Sequence, residues 1–366
     1  MKVKITYDNI IFSLQKAGGI SVVWYELLNR VLNDTEIDSQ FIEHKSNNIF
    51  RNQLNIRTDT ILENPYSKFP VSCQRYLNLK LEISGLFHSS YYRTSNSKKS
   101  INITTVHDFT YEHFRSGITK NIHSYQKYRA IQNSKKIICI SENTKKDLLH
   151  LYPHIDENKV AVIYNGVSDN YKVLDVNPTN VLAEFMSFKT KEYAIYVGDR
   201  KSEYKNFVLG VEVCKDSKTP LVIVGGGQIT SMEQKFLNQK LGKSFYVHFE
   251  NLLNESLNIL YNNALCLLYL SSYEGFGLPI IEAQKAGCPV IALEKSSIPE
   301  IIGPVSTMIS NKNIPEIVEV IKILKSNNSF FYNQVNIGLN NSQRFSWDKF
   351  YKQTKDVYKE INNLYF

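Results

Sequence analysis

Short apolar runs alternate with stretches of helical periodicity along this whole sequence, and the alternation begins twice. Lys2–Tyr7, Ile37–Ile42, Leu86–Ser90, Ile101–Val106, Lys136–Ile140 and Val160–Tyr164 read as strands of a first series. The pattern restarts with Glu192–Val197 and continues through Pro220–Val224, Phe245–Phe249, Ala264–Leu270 and Cys288–Leu293. Helical periodicity fills the intervals at Val22–Leu32, Ser72–Ile83, Ser141–Leu151, Ser231–Leu241, Ile314–Leu324 and Phe330–Asn341. Such alternation predicts the α/β class, with two doubly wound parallel-sheet, Rossmann-like domains and a ligand held between them. At 366 residues the chain is long enough for two cores. The expected division is a first domain over 1–170, a polar linker region over 171–191 with a helix near Val181–Phe188, and a second domain over 192–346. The run Trp347–Leu364 reads as a long terminal helix that packs back on the first domain.

Composition narrows the setting. Hydrophobic content is 43%, and no segment approaches the ~20 unbroken apolar residues of a membrane span. Met1–Tyr7 begins a strand at once and lacks the apolar core of a secretion signal. Cys73, Cys139, Cys214, Cys266 and Cys288 are scattered without metal-ligand spacing, as expected of small hydrophobes in a reduced, cytoplasmic compartment. The net charge of +8 favours anionic partners. No zinc, homeodomain-like or RNA-binding signature accompanies it, so nucleic acid is not the expected partner. Arg115, Lys120, Lys127, Arg129, Lys135 and Lys136, with Tyr125 and Tyr128 among them, form a basic stretch. It reads either as a solvated helix face or as a contact with anionic membrane lipid or a lipid-diphosphate acceptor.

The chemistry concentrates in Ser271-Ser272-Tyr273-Glu274-Gly275-Phe276-Gly277-Leu278-Pro279-Ile280-Ile281-Glu282-Ala283. A buried strand feeds a glycine-punctuated loop, and Pro279 sits in the first helical turn, where a missing N–H costs nothing. Free N–H groups at that helix start can hold an anion or a sugar hydroxyl. Glu274 stands at the loop entrance and Glu282 inside the helix. One carboxylate can face a ligand while the other accepts hydrogen bonds from a diol. A bare pair of glutamates at this spacing is equally compatible with two surface acids. The intervening Gly-Phe-Gly-Leu-Pro is not so neutral.

This segment resembles the nucleotide-sugar motif of glycosyltransferase family 4, retaining enzymes of the GT-B fold. The resemblance implies that Glu274 contacts the donor sugar, that Glu282 binds the ribose hydroxyls, and that Gly275, Phe276, Gly277 and Leu278 line the donor. It extends to other positions. Gly18-Gly19, between the first strand and the first helix, matches the family's loop facing donor phosphates and acceptor. Thr-Val-His107-Asp108-Phe is similar to a His-Asp pair of mannosyltransferase-like members, in which the His reaches the donor sugar and the Asp orients it. Gly198-Asp199-Arg200 with Lys205-Asn206 resembles the donor-diphosphate segment, which makes Arg200 and Lys205 the implied diphosphate clamp. Asn251 and Leu252 follow the strand whose end reads the base, and Gly225–Gly227 suggests close backbone approach to the nucleotide.

What the resemblance implies is a retaining, metal-independent transfer of a hexose from a nucleotide-sugar to a hydroxyl of a glycan or lipid-linked oligosaccharide. GDP-mannose or another GDP-hexose is favoured over a UDP-sugar, and synthesis of bacterial O-antigen or capsule is the implied setting. No cofactor and no metal is expected: Asp-x-Asp is absent from the sequence, and His113 with His107 lacks a third ligand. Two other readings fit the same fold: a sugar-nucleotide epimerase, which needs no acceptor, and a catalytically inactive glycan-binding protein.

Overall fold

A computed structural model describes residues 2–175 and 188–366. The helix expected near Val181–Phe188 thus lies outside the described residues, Phe188 aside. The chain forms two compact units, one of residues 1–166 with 347–366 and the other of residues 167–346. Both are built on parallel sheets, and both sheets run in the same order.

In the first unit the strands are β1 (Val3–Asp8), β2 (Ile37–Ile42), β3 (Ile61–Leu62), β4 (Gly85–Ser89), β5 (Ser100–Val106), β6 (Lys136–Cys139) and β7 (Val160–Val162). Their spatial order is β3-β2-β1-β4-β5-β6-β7. In the second unit β8 (Ala194–Val197), β9 (Leu221–Val224), β10 (Tyr246–Phe249), β11 (Cys266–Tyr269), β12 (Val290–Leu293) and β13 (Met308–Ile309) are ordered β10-β9-β8-β11-β12-β13. Strands β9, β11 and β12 are buried along their whole length, which is why they read as unbroken apolar runs rather than alternating ones. Each order reverses direction beside its first strand, between β1 and β4 in one sheet and between β8 and β11 in the other. Doubly wound sheets open a crevice beyond the strand ends at that reversal.

The helix Trp347–Tyr365 belongs to the first unit. Its buried residues Trp347, Phe350, Thr354, Val357, Tyr358 and Ile361 recur every three or four positions and so share one face. Tyr358 Oη lies 2.7 Å from His88 Nδ1 on β4, and Arg30 Nε, on the helix Gly19–Val31, donates to Asp348 at 2.7 Å. Lys355 and Tyr351 both reach Asp34.

The segment expected to be helical over 72–83 forms one turn only, Val71–Gln74. Beyond it the chain is extended. The Leu79 N–H donates to Thr94 O at 2.9 Å, and Leu79 O accepts from the Asn96 N–H at 3.0 Å. Leu79 and Ile83 are buried against Ile42 and Phe87, with Leu81 packed partly on the same cluster.

Candidate functional site

At the β8/β11 reversal two loops meet. The one leaving β8 passes Gly198 and ends on Asn206, whose φ of 51° is left-handed. Asn206 Nδ2 donates to Leu270 O at 2.6 Å and to Ser272 Oγ at 2.8 Å, and the Ser272 N–H donates to Tyr204 O at 2.7 Å. These bonds tie the β8 loop to the loop leaving β11. They place Lys205 Nζ 2.5 Å from Glu274 Oε1, with both side chains still partly accessible.

The Glu274 loop is fastened from the far side as well. Its N–H donates to Ser296 Oγ at 2.7 Å, while Ser297 Oγ donates to the carbonyls of Glu274 and Phe276 at 2.9 and 3.1 Å. Phe276 is buried edge-on against Phe345 at 5.7 Å. Gly277 has φ 111°, a conformation side chains resist, and a Cβ there would press on Ile280 at 3.1 Å. The helix Leu278–Lys285 then starts with Pro279 in its first turn. Gly275 through Leu278 thus form one fixed loop beside Lys205.

Glu282 lies within that helix and is only partly accessible. Burial pushes its carboxyl up to about 7, against the nearby phenols of Tyr261 and Tyr171, which lower it. Tyr261 Oη is buried and faces this carboxyl. Tyr171 and Tyr261 come from separate segments, and nothing in the sequence around either singles it out. Their hydroxyls beside a half-ionised carboxyl suit a ligand that brings both donors and acceptors, such as a diol.

Arg200, the other cation of the expected diphosphate clamp, is held by protein groups in this structure. Its side chain is fully enclosed. Nε donates to Glu233 at 3.1 Å, Nη2 donates to Gly227 O at 3.0 Å and Gln228 O at 3.3 Å, and Nη1 donates to Gly225 O and contacts His248. A guanidinium has five N–H donors, and these acceptors use its whole fork. Arg200 here braces the glycine loop after β9, while Lys205 stands beside Glu274. Gly198 packs close to Gly225, where an added Cβ would meet Gly198 O at 3.6 Å. Asn251, exposed, and Leu252, half-buried, follow the edge strand β10, two strands away from β8.

In the first unit His107 and Asp108 leave the carboxyl end of β5. His107 is buried, and burial together with nearby Lys127 pushes its imidazole down to about 4, against the pull of Asp108. It is therefore neutral at physiological pH. Burial opposes ionisation of Asp108, but Lys127 and the Thr110 N–H, which donates to Oδ1 at 2.8 Å, hold its carboxyl below the usual range. Lys127 is wholly buried: Nζ donates to Asp108 O at 2.8 Å and to Glu112 at 2.7 Å, over the Phe109 ring. It therefore departs from the rest of the basic stretch, of which Arg115, Arg129 and Lys135 are exposed, Arg129 alone of these on the helix Gly117–Asn133. Gly18 and Gly19 start the helix Gly19–Val31, with Gly18 in extended backbone and its carbonyl accepting from Ser21 Oγ at 3.0 Å. His113 lies 3.7 Å from Asp147, and no cluster of three or more potential metal ligands occurs among the described residues. Nor, among them, is any helix long and apolar enough to cross a membrane.

Comparison with known proteins meets this geometry from two sides. The model of glycosyl transferases group 1 matches residues 181–344, and that of Glycosyltransferase Family 4 matches residues 17–171. O-antigen chain mannosyltransferase B of Escherichia coli is 22% identical over 268 residues, 70% of this chain and 70% of its own length. The O-antigen chain mannosyltransferase RfbU of Salmonella typhimurium is 28% identical over 193 residues, 51% of this chain and 50% of its own. Among solved structures, Anabaena HepE in complex with UDP-glucose superposes with a TM-score of 0.74 at 14% identity, over 98% of this chain and 99% of that one.

Proposed function

The chain is a family 4-like glycosyltransferase of the GT-B fold, and from that premise we propose that it moves a hexose from a nucleotide-sugar to a glycan hydroxyl in O-antigen or related surface polysaccharide synthesis. The observation that carries the donor assignment is the β8/β11 reversal, where Lys205 and Glu274 are paired on tied loops and Glu282 sits beside two phenols. In this reading Lys205 exchanges Glu274 for the donor diphosphate, Glu274 turns to the sugar, and Glu282 accepts from the ribose hydroxyls. His107, being neutral, offers the sugar a hydrogen bond without adding charge, and Asp108 orients it. Mannosyltransferase relatives favour GDP-mannose as donor, and HepE with its bound UDP-glucose makes a UDP-sugar the second choice.

The proposed reaction proceeds with retention and without a metal. The bond from the anomeric carbon to the diphosphate oxygen breaks, and the nucleoside diphosphate leaves with the electron pair. The acceptor oxygen bonds to the same carbon on the same face, through an oxocarbenium-like transition state. Its proton passes to the departing phosphate oxygen. Lys205 stabilises the charge that develops there, so its loss acts on turnover more than on binding.

Glu282→Ala and Lys205→Ala should each lower kcat/KM at least ~100-fold, on the order of 3 kcal/mol of transition-state stabilisation. The assay is hexose transfer from GDP-mannose, with UDP-glucose in parallel, onto lipid-linked glycan. Near-normal rates in both variants would remove the assignment. NMR of the product's anomeric proton tests retention, and full activity in chelator tests metal independence.

A further inference from the structure

Residues beyond the carboxyl ends of β1, β4 and β5 line a half-open cavity of about 210 Å3 within the first unit. Pockets for drug-sized ligands run to ~300–1,000 Å3, so this one suits a single ring. Tyr111 and His123 form one wall, stacked at 3.8 Å and 14°. Asp108 and Ile20 contribute to others. Arg75 is the one Lys or Arg lining the cavity, its guanidinium 4.7 Å from the Tyr91 ring centre. It has no carboxylate in ion-pair range among the described residues.

A hydrogen-bond relay fixes what the cavity lacks. Arg75 Nη2 donates to Tyr91 Oη, which lies 2.8 Å from His123 Nε2. Burial foremost, then Lys127 and Arg75, pushes His123 down to about 3, so its ring is neutral. Tyr91 Oη thus links the Arg75 guanidinium to the neutral ring of His123. Both His123 Nδ1 and Arg75 Nε are buried without a hydrogen-bond partner among the described residues. Arg75 Nη1 has no protein partner among the described residues and is not sealed off like Nε, so it can meet an acceptor that a ligand brings. Asp108 can take ring hydroxyls.

We propose that this cavity is an acceptor subsite for a pyranose bearing an anionic group, carboxylate or phosphate, with the ring against Tyr111 and the anion on Arg75. The proposal rests on the glycan-acceptor reading above and deepens it. Methyl glucuronide, glucose 1-phosphate and methyl glucoside are titrated into the full-length protein by ligand-observed NMR. The two anionic probes should bind at least about 10-fold more tightly than the glucoside, as charge-assisted hydrogen bonds to an arginine require. Which of the two binds better identifies the anion. Arg75→Gln should abolish the preference while leaving GDP and UDP binding intact, whereas Glu282→Ala should weaken nucleotide binding and leave the preference untouched. The donor assignment and the acceptor subsite thus fail separately. If Arg75→Gln does not fold, Tyr91→Phe, which removes the relay hydroxyl, should show the same loss. Equal binding of all three probes, no saturable binding of either anionic one, or an Arg75→Gln or Tyr91→Phe protein that keeps the preference would overturn the subsite.

Discussion

The two sheets share a strand order, yet they treat charge at their strand ends in different ways. At the end of β1 Asp8 is wholly buried, with Arg93 Nη1 at 2.9 Å, His44 Nε2 at 2.8 Å and Ser89 Oγ at 2.8 Å around it. Burial opposes its ionisation, but Arg93 and His44 hold it below the usual carboxylate range. Lys127 and Glu112 close another such pair beneath His107. In the second unit Lys205, Glu274 and Glu282 stay partly accessible, and the Glu282 carboxyl is raised rather than lowered. Both units spend charges on holding loops, Arg200 in the second among them, but the second also keeps the Lys205–Glu274 pair where a charged ligand can reach. That pair fits a donor side that must handle a diphosphate.

The largest expected effect breaks the structural charges. Arg93→Met leaves Asp8 ionised and enclosed with only His44 beside it, which should cost about 3–5 kcal/mol. Both tryptophans, Trp24 and Trp347, lie in the first unit. Tryptophan fluorescence in urea therefore reads that unit alone, and an unchanged midpoint would mean that Asp8 is less dependent on Arg93 than its geometry says. The next effect inverts the sign. Glu282 rises from an ordinary value of 4.5 to about 7 in the fold. Between those values the unfolded chain releases a proton that the folded unit retains, so stability falls as pH rises through the window. Glu282→Gln cannot ionise. It should exceed the wild type by about 3 kcal/mol at pH 8 and match it at pH 4, by scanning calorimetry, while losing donor binding. Such a gain in stability with a loss of function would mark Glu282 as a group retained for its ligand.

Strands were legible wherever burial on both faces made the run apolar, as in Val290–Leu293 or Leu221–Val224. Strand β3 was not, because two residues at a sheet edge carry no periodicity. The false helix over 72–83 had a warning in Leu79-x-Leu81-x-Ile83, an alternation of period two that backbone pairing with 94–96 completes. Glu274 stood out because glycine and proline chemistry frames it, and Lys205 because Lys-Asn follows Gly198-Asp199-Arg200 at the offset of a donor-diphosphate segment. Arg200 shows the limit: a cation at the right offset points inward, since three carbonyls at the β9 turn compete for its donors. Tyr171 and Tyr261 were illegible for a different reason, as only the fold brings them to Glu282. Arg75, Tyr91 and His123 come together the same way, from three separated segments.

The smallest effect sharpens the contrast between the units with one kind of substitution. Ser141 Oγ accepts from the Thr144 N–H at 3.0 Å and caps the helix Glu142–Leu151 in the first unit. Ser297 Oγ instead donates to two carbonyls of the Glu274 loop. Removing either hydroxyl deletes bonds of similar strength, so Ser141→Ala and Ser297→Ala should each cost about 1 kcal/mol. Donor affinity by calorimetry should separate them. Ser141→Ala leaves it unchanged, because a helix cap does not set the position of the β11 loop. Ser297→Ala weakens it several-fold, because Glu274 and Phe276 then rest on fewer anchors. Equal donor affinities in the two variants would show that the Ser296 and Asn206 bonds hold the loop without Ser297.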